Sequence, residues 1–206
     1  WCVWSLFSHK MPWQNYSQTT HSLKVLTYNT HGMLVNKKKE DKIAMLNHIK
    51  QQDADIICMQ EVLVYKNLAK FTLSDLREIM KEYRYTYYDF KVYNSKRQFG
   101  NVVFSRYPLI NKQTIRYESN SNISSQCDVV VKTDTIRLVV NHLESFGLEG
   151  KDFNIDSLTA GNFKESSLNR KLTQTSQLRR QQVIKVRRAI SNSPYPVIAV
   201  GDYNAL

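Results

Sequence analysis

The sequence predicts an α/β sandwich, and three features of its pattern predict it. Segments with strand-like alternation and segments with helical spacing follow one another along the chain. Two strand-like segments, residues 127–132 and 136–141, are joined by a tight turn at Thr133-Asp134, which makes an antiparallel hairpin. Strands mixed with helices and hairpins fit sheets packed in layers better than one purely parallel doubly wound sheet. The third feature is material: 206 residues, 42% of them hydrophobic, suffice for the core of one domain or a large part of one.

Taken in order, residues 1–22 form an arm ahead of the domain. Its first thirteen residues hold all 3 tryptophans together with Phe7. Tryptophan concentrates at membrane–water interfaces, so the arm reads either as a juxtamembrane linker behind an upstream apolar segment or as a segment packed on the domain. The domain proper spans residues 23–206. Leu23 to Tyr28 alternates and is β-rich. Residues 41–52 carry Ile43, Leu46 and Ile49 at helical spacing, and Asp55 to Met59 reads as a short buried strand. Residues 73–83 place Leu73, Leu76, Ile79, Met80 and Tyr83 on one helical face, with Thr72 or Ser74 as cap. Tyr85 to Phe90 and Gly100 to Ser105 are strand-like. Residues 144–172 are a polar stretch too long for a plain connector, as a lid over a site would be. Residues 174–191 form a basic helix with Leu178, Val183, Val186 and Ile190 toward one side, ended by Pro194 and Pro196. Val197 to Val200 is a buried strand running into Gly201-Asp202-Tyr203-Asn204.

Lys plus Arg is 29 and Asp plus Glu 18, a formal net charge of +11. This favours polyanionic partners: nucleic acid, phosphorylated small molecules or an anionic membrane surface. Arg179, Arg180, Lys185, Arg187 and Arg188 on the basic helix, with Lys37 to Lys39, either track a phosphate backbone or form a solvated face. Tyr83, Tyr85, Tyr87 and Tyr88 serve either base stacking or sheet packing. Cys2, Cys58 and Cys127 are too few and too widely spaced for a disulfide framework or a zinc pattern, and they do not fix a compartment. No run of about 18 apolar residues and no signal peptide is present.

Four apolar β-runs end in polar, ligand-capable residues. They are Val25 to Asn29, Ile56 to Gln60-Glu61, Leu138 to Asn141-His142, and Val197 to Asp202-Tyr203-Asn204. Each ending has an ordinary use taken alone: Asn and Gly-Asp-x-Asn make turns, and a lone histidine is usually a satisfied one. Together they place carboxylate and amide groups where one edge of a sandwich can gather them. Hard divalent cations take a few such oxygens and keep several waters. Phosphoryl chemistry uses that arrangement: charge neutralisation, a base for water, and donors for the other oxygens.

These residues resemble the endonuclease/exonuclease/phosphatase superfamily, whose fold is like that of deoxyribonuclease I. The matching stretches are LKVLTYNTHG at 23–32, DADIICMQEV at 53–62, GNVVFSRYPL at 100–109, LVVNHLES at 138–145 and VIAVGDYNAL at 197–206. The resemblance implies a four-layer α/β/β/α sandwich and a phosphoesterase dependent on Mg²⁺ or Mn²⁺. It implies that Glu61 is the main metal ligand, with Asn29 beside it at the metal. It implies that Asp202 orients or deprotonates the attacking water, or holds a second metal. Asn204 and His142 would contact the scissile phosphate, and Asn101 would line the substrate site, whereas Arg106 would be structural.

Two departures stand out. Tyr203 occupies a position where Phe is common. The family's last motif, an Asp-His pair, does not occur before the chain ends at Leu206. The expectation is a domain incomplete at its C-terminus, poorly active or poorly folded by itself, within an active parent. The substrate is left open between nucleic-acid phosphodiesters and phospholipid, phosphoinositide or small-molecule phosphoesters beside a membrane. A non-catalytic binding module that kept the fold is a third class, disfavoured because a pure binder has no need of Glu61 and Asp202 together. A monomer is expected.

Overall fold

The computed structural model describes residues 22–34, 38–118, 122–147 and 167–204. The tryptophan-bearing arm before Ser22, Lys37 and the middle of the 144–172 stretch lie outside them. The elements are β1 (Val25–Asn29), α1 (His31–Leu34), α2 (Lys39–Gln51), β2 (Ile56–Tyr65), α3 (Leu73–Ile79), β3 (Tyr85–Asn94), β4 (Arg97–Ser105), β5 (Leu109–Arg116), β6 (Ile123–Val131), β7 (Asp134–His142), α4 (Ser167–Ser191) and β8 (Val197–Asp202). They form two four-stranded sheets, ordered β1-β2-β4-β3 and β5-β6-β7-β8. β1 runs parallel to β2 and β7 parallel to β8, while the other neighbours are antiparallel.

Period-two alternation assigns the layers. On β2, Ile57 and Met59 face α2 and α3 and pack with Leu46, Ile49, Leu76, Met80 and Phe104. The intervening Ile56 and Cys58 face the second sheet and meet Val103, Cys127, Val129, Leu138 and Val140. On the far side, Val139 and Leu143 meet Val186 of α4, with Ile190 packed against them. The result is the expected four-layer α/β/β/α sandwich. In the parallel pairs Asn29 lies opposite Gln60 and His142 opposite Asp202; Asn29, His142 and Asp202 end their strands, whereas β2, read from the sequence as a short strand ending at Met59, runs on through Gln60 and Glu61 to Tyr65.

Several elements differ from the sequence reading. β5 was not anticipated; its burial is confined to one end, at Leu109, so it lacks an apolar alternation. β1 and β8 are edge strands and only half-buried, not buried as their apolar runs imply. The helix read over 73–83 stops at Ile79. Met80 and Tyr83 stay buried beyond it, and the Tyr83 hydroxyl donates to the Ala54 carbonyl at 3.0 Å. The tight turn falls at Lys132-Thr133, with Lys132 at φ 56°. On α4 the buried positions are Thr175, Gln182 and Val186, whereas Leu178, Val183 and Ile184 are exposed. Polar groups dock this helix: the Gln182 side-chain oxygen accepts from Glu144 N–H at 2.8 Å, and Arg179 Nε donates to the Glu144 carbonyl at 3.1 Å. No helix among the described residues is long and apolar enough to cross a membrane.

Candidate active site

The site forms where the two sheets meet, at the ends of β1, β7 and β8 and at a mid-strand kink of β2. β1 delivers Asn29, and its Nδ2 donates to Glu61 Oε1 at 2.9 Å and to Asp202 Oδ2 at 2.6 Å. The amide orientation follows from its partners, because Asn29 Oδ1 accepts from the His31 N–H at 2.8 Å. The reverse flip would set an oxygen against two carboxylates. Asn29 therefore faces the carboxylates as a donor, and its oxygen is taken by the turn that follows.

Glu61 reaches the site through a kink in β2. The register with β4 shifts between Met59 and Val62, and Glu61 sits at φ 57°, a left-handed backbone that a β-bulge accommodates. Thr30, buried under the site, holds this kink. Its N–H donates to the Gln60 carbonyl at 2.9 Å, and its hydroxyl lies 3.0 Å and 2.9 Å from the Gln60 and Glu61 carbonyls. Thr30 is a positioning residue that no sequence signal marked. After it the chain takes a single turn, α1, with φ 47° at His31, 62° at Gly32 and 56° at Met33.

His142 is buried at the end of β7, with Nε2 3.4 Å from Glu61 Oε1 and the Phe99 ring 6.3 Å away. Burial pushes the Glu61 carboxyl up. Hydrogen bonds from His142 and Asn29, and the charges of His142 and His31, outweigh burial and hold it below its ordinary range. Asp202 is fixed at both oxygens: Oδ2 by Asn29, and Oδ1 by the Asn204 N–H at 2.9 Å. Gly201 makes this possible. Its φ is 127°, and a Cβ there would fall 2.1 Å from the Asn141 carbonyl oxygen of the paired strand.

The structure thus brings Asn29, Glu61, His142, Asp202 and Asn204 together. Two of the expected contacts are redirected. The Asn204 amide donates to the Leu143 carbonyl at 2.8 Å, so its visible function is to pin the segment after His142. Asn101 does not line an open surface. It is 1% exposed between the sheets, with Nδ2 facing the carbonyls of Ile123 and Val140 and the Ser125 hydroxyl at 3.1–3.3 Å. Arg106 lies elsewhere, paired with Asp53 at 2.5 Å and Asp55 at 3.7 Å. The tyrosines of β3 are packing residues: Tyr85 and Tyr87 fill the layer between the sheets, and Tyr88 meets Phe104 edge-on at 6.0 Å. Tyr203 adds something that Phe would not, because its hydroxyl accepts from Asn141 Nδ2 at 3.0 Å, next to His142.

The donor set suits a hard divalent cation. Glu61, His142 and Asp202 each offer one ligand atom, and these atoms lie within 4.8 Å of one another. Two carboxylates that share one neutral amide repel each other unless a cation joins them. Carboxylate oxygens are the ligands that Mg²⁺ and Mn²⁺ prefer.

No curated protein matches the chain in sequence. Solved structures with the same fold include a truncated TDP2 from Caenorhabditis elegans, 18% identical with a TM-score of 0.60 over 89% of this chain and 63% of that one. D. rerio TDP2 complexed with single strand DNA product is 14% identical with a TM-score of 0.57, over 89% of this chain and 61% of that one. Sphingomyelinase C from Streptomyces griseocarneus is 19% identical with a TM-score of 0.56, over 90% of this chain and 65% of that one. The chain spans less than two thirds of the length of each. These likenesses establish the fold. The family's sequence profile covers residues 26–206, which takes in all the converging side chains and every strand described here except the first residue of β1. The chain belongs to the endonuclease/exonuclease/phosphatase family, whose members hydrolyse phosphoester bonds.

Proposed function

We propose that this domain is the catalytic core of a divalent-metal-dependent phosphodiesterase of endonuclease-like type, which cleaves by in-line attack of water. The observation that carries the proposal is the meeting of Glu61 and Asp202, one from each sheet, on the single amide of Asn29. A bound Mg²⁺ or Mn²⁺, held by Glu61 with Asp202 beside it, would supply charge stabilisation at the phosphoryl oxygens. The chain's own groups supply four further roles. Hydrogen bonds from His142 and Asn29 hold the Glu61 carboxyl below its ordinary range. Asn29 and the Asn204 N–H aim the Asp202 carboxylate, which orients the attacking water and accepts its proton. His142 donates to a phosphoryl oxygen. Asn29 acts on the metal site by orienting carboxylates, not as a direct ligand.

The test is hydrolysis of a phosphodiester by the full-length protein with Mg²⁺ and then with chelator. Asp202→Asn and His142→Ala should each lower turnover by roughly 10²–10³ without unfolding the protein. Unchanged turnover in both variants would remove the assignment. A second reading, a phospholipid or phosphoinositide ester as substrate, is favoured by one feature: Leu178, Val183 and Ile184 of α4 are 37%, 47% and 51% exposed and could meet a lipid surface. Hydrolysis of sphingomyelin or a phosphoinositide without nicking of DNA would select it.

A further inference from the structure

A second feature lies beyond the catalytic edge and has no part in the site above. β1 stops at Asn29, opposite Gln60. β2 continues to Tyr65, paired with Arg97–Gly100 of β4, and β4 pairs in turn with β3. The three strands project as an arm past the end of β1. At the tip of the arm is a cleft of about 870 Å³ lined by Lys66, Lys70, Lys96 and Arg97 with Tyr65 beside them, and its lining includes no carboxylate.

The cleft is built, not incidental. The Lys66 N–H donates to the Lys96 carbonyl at 3.0 Å, tying its two walls together. The Tyr65 ring holds two ammonium groups, Lys70 at 4.7 Å and Lys42 at 5.6 Å from its centroid. Burial and the nearby Lys70 charge both push the Lys42 ammonium below its ordinary range. Lys42 and Lys70, gathered on one ring, repel one another, and an anion entering beside them and the Lys66 and Lys96 ammonium groups relieves that repulsion. The basic groups of α4 are less available as a set, because Arg179 is spent on Glu144 and Lys185 on the Arg116 carbonyl.

We propose that this cleft is an anion subsite that receives a backbone phosphate of a nucleic-acid strand whose scissile phosphate lies at Glu61 and Asp202. The strand's path rests on the phosphodiesterase reading; the cleft's affinity for a strand does not. Four residues of extended chain put Tyr65 on the order of 13 Å from Glu61. Phosphates of one B-form strand recur about every 3.4 Å along the axis, so a strand carries a second phosphate across that gap. A phosphoinositide headgroup carries its phosphates on one small ring and sphingomyelin carries a single phosphate, so neither headgroup spans that gap.

The experiment measures binding of a labelled single-stranded oligonucleotide in chelator, where no turnover occurs, over a range of salt. The variant combines Lys66→Ala, Lys70→Ala and Lys96→Ala, all at exposed positions, and the control combines Arg180→Ala, Arg187→Ala and Arg188→Ala. The expected result is binding weakened at least about tenfold in the cleft variant, a log–log salt slope shallower by about 2, and a control close to wild type. Hydrolysis of a small phosphodiester with no second phosphate should be the same in wild type and cleft variant. Wild-type affinity and slope in the cleft variant would overturn the proposal. So would an equal loss in the control, or a loss confined to anionic phosphatidylserine vesicles. A protein that binds the strand through the cleft yet hydrolyses no phosphodiester would contradict the catalytic reading and leave the subsite standing.

Discussion

Asn29 Nδ2 lies 2.6 Å from Asp202 Oδ2, which joins the end of β1 in one sheet to the end of β8 in the other across 173 residues of sequence. The same nitrogen lies 2.9 Å from Glu61 Oε1. A neutral donor between two carboxylates sets their separation without cancelling their charge, as a site that binds a cation requires. Asn29→Ala should therefore weaken Mg²⁺ binding or turnover by roughly 10–100-fold, the usual cost of losing a group that orients metal ligands. Calorimetric titration with Mg²⁺ checks this. An unchanged Mg²⁺ affinity and rate would show that Asn29 does not organise the carboxylates.

Gly201→Ala places a methyl 2.1 Å from the Asn141 carbonyl oxygen and puts alanine at φ 127°. β8 must move away from β7, carrying Asp202 from His142. Backbone strain of this kind costs roughly 1–3 kcal/mol, or about 2–10 °C of melting temperature in a chain of this size. Thermal unfolding followed by circular dichroism measures the shift, and activity should fall further than stability explains. A variant as stable and as active as wild type would show that the close approach is not needed.

Much of this arrangement was legible in the sequence, for a physical reason. Three apolar runs, β1, β7 and β8, end in a polar group, and a strand pattern fixes which residue stands there; the fourth does not stop before Glu61, because β2 continues past a bulge to Tyr65. What sequence did not carry is how those ends are held. Thr30 is unremarkable as a residue type, yet it clamps the carbonyls of the β2 kink. Asn204 reads as a phosphate contact but donates to Leu143 O, and Asn101 reads as a site residue but is buried between the sheets. Hydrogen-bond direction depends on partners distant in sequence. β5 escaped notice because an edge strand buried at one end needs no apolar alternation. The end of α3 escaped notice because Met80 and Tyr83 stay buried in the turn that follows and prolong the apolar spacing.

The cap of α3 gives a pH dependence of known sign. The Thr72 hydroxyl accepts from the Asp75 N–H at 3.2 Å, and Asp75 returns a bond to the Thr72 N–H at 2.8 Å while pairing with Lys39 at 2.8 Å. Burial pushes the Asp75 carboxyl up, but Lys39 and the Thr72 donors outweigh it and leave the group below its ordinary range. A carboxyl depressed in the folded state contributes stability above its unfolded pKa of about 3.9 and loses it as pH falls through the folded value. Asp75→Asn should lower stability at neutral pH, with the gap to wild type closing below about pH 4. Thr72→Ala should cost about 1 kcal/mol at neutral pH, and because it also removes the hydroxyl that donates to Asp75 at 2.8 Å its cost should shrink in the same direction but by less, Lys39 still pairing with the carboxylate. Urea unfolding at a series of pH values separates the two, and a constant Asp75→Asn gap down to the acid limit would contradict the assignment.

Cys58 and Cys127 face each other's layer between the sheets, and both are buried free thiols. Burial, and then the neighbouring Cys127, pushes the Cys58 thiol well above its ordinary range; burial pushes Cys127 up to about 12. The thiolate is the reactive form. In a Cys2→Ser background the native protein should therefore resist a disulfide reagent at mildly alkaline pH, and both thiols should react on unfolding. Rapid native-state modification would mean that the two sheets separate more readily than their packing implies.

The central claim is that Glu61 anchors a divalent cation for phosphodiester cleavage. Its most direct test is Mg²⁺-dependent hydrolysis by the full-length protein carrying Glu61→Gln, a substitution that keeps the shape and removes the charge. An intact fold is expected, with turnover reduced by at least about 10² and a weakened response to Mg²⁺. Wild-type, Mg²⁺-dependent turnover in Glu61→Gln would contradict it.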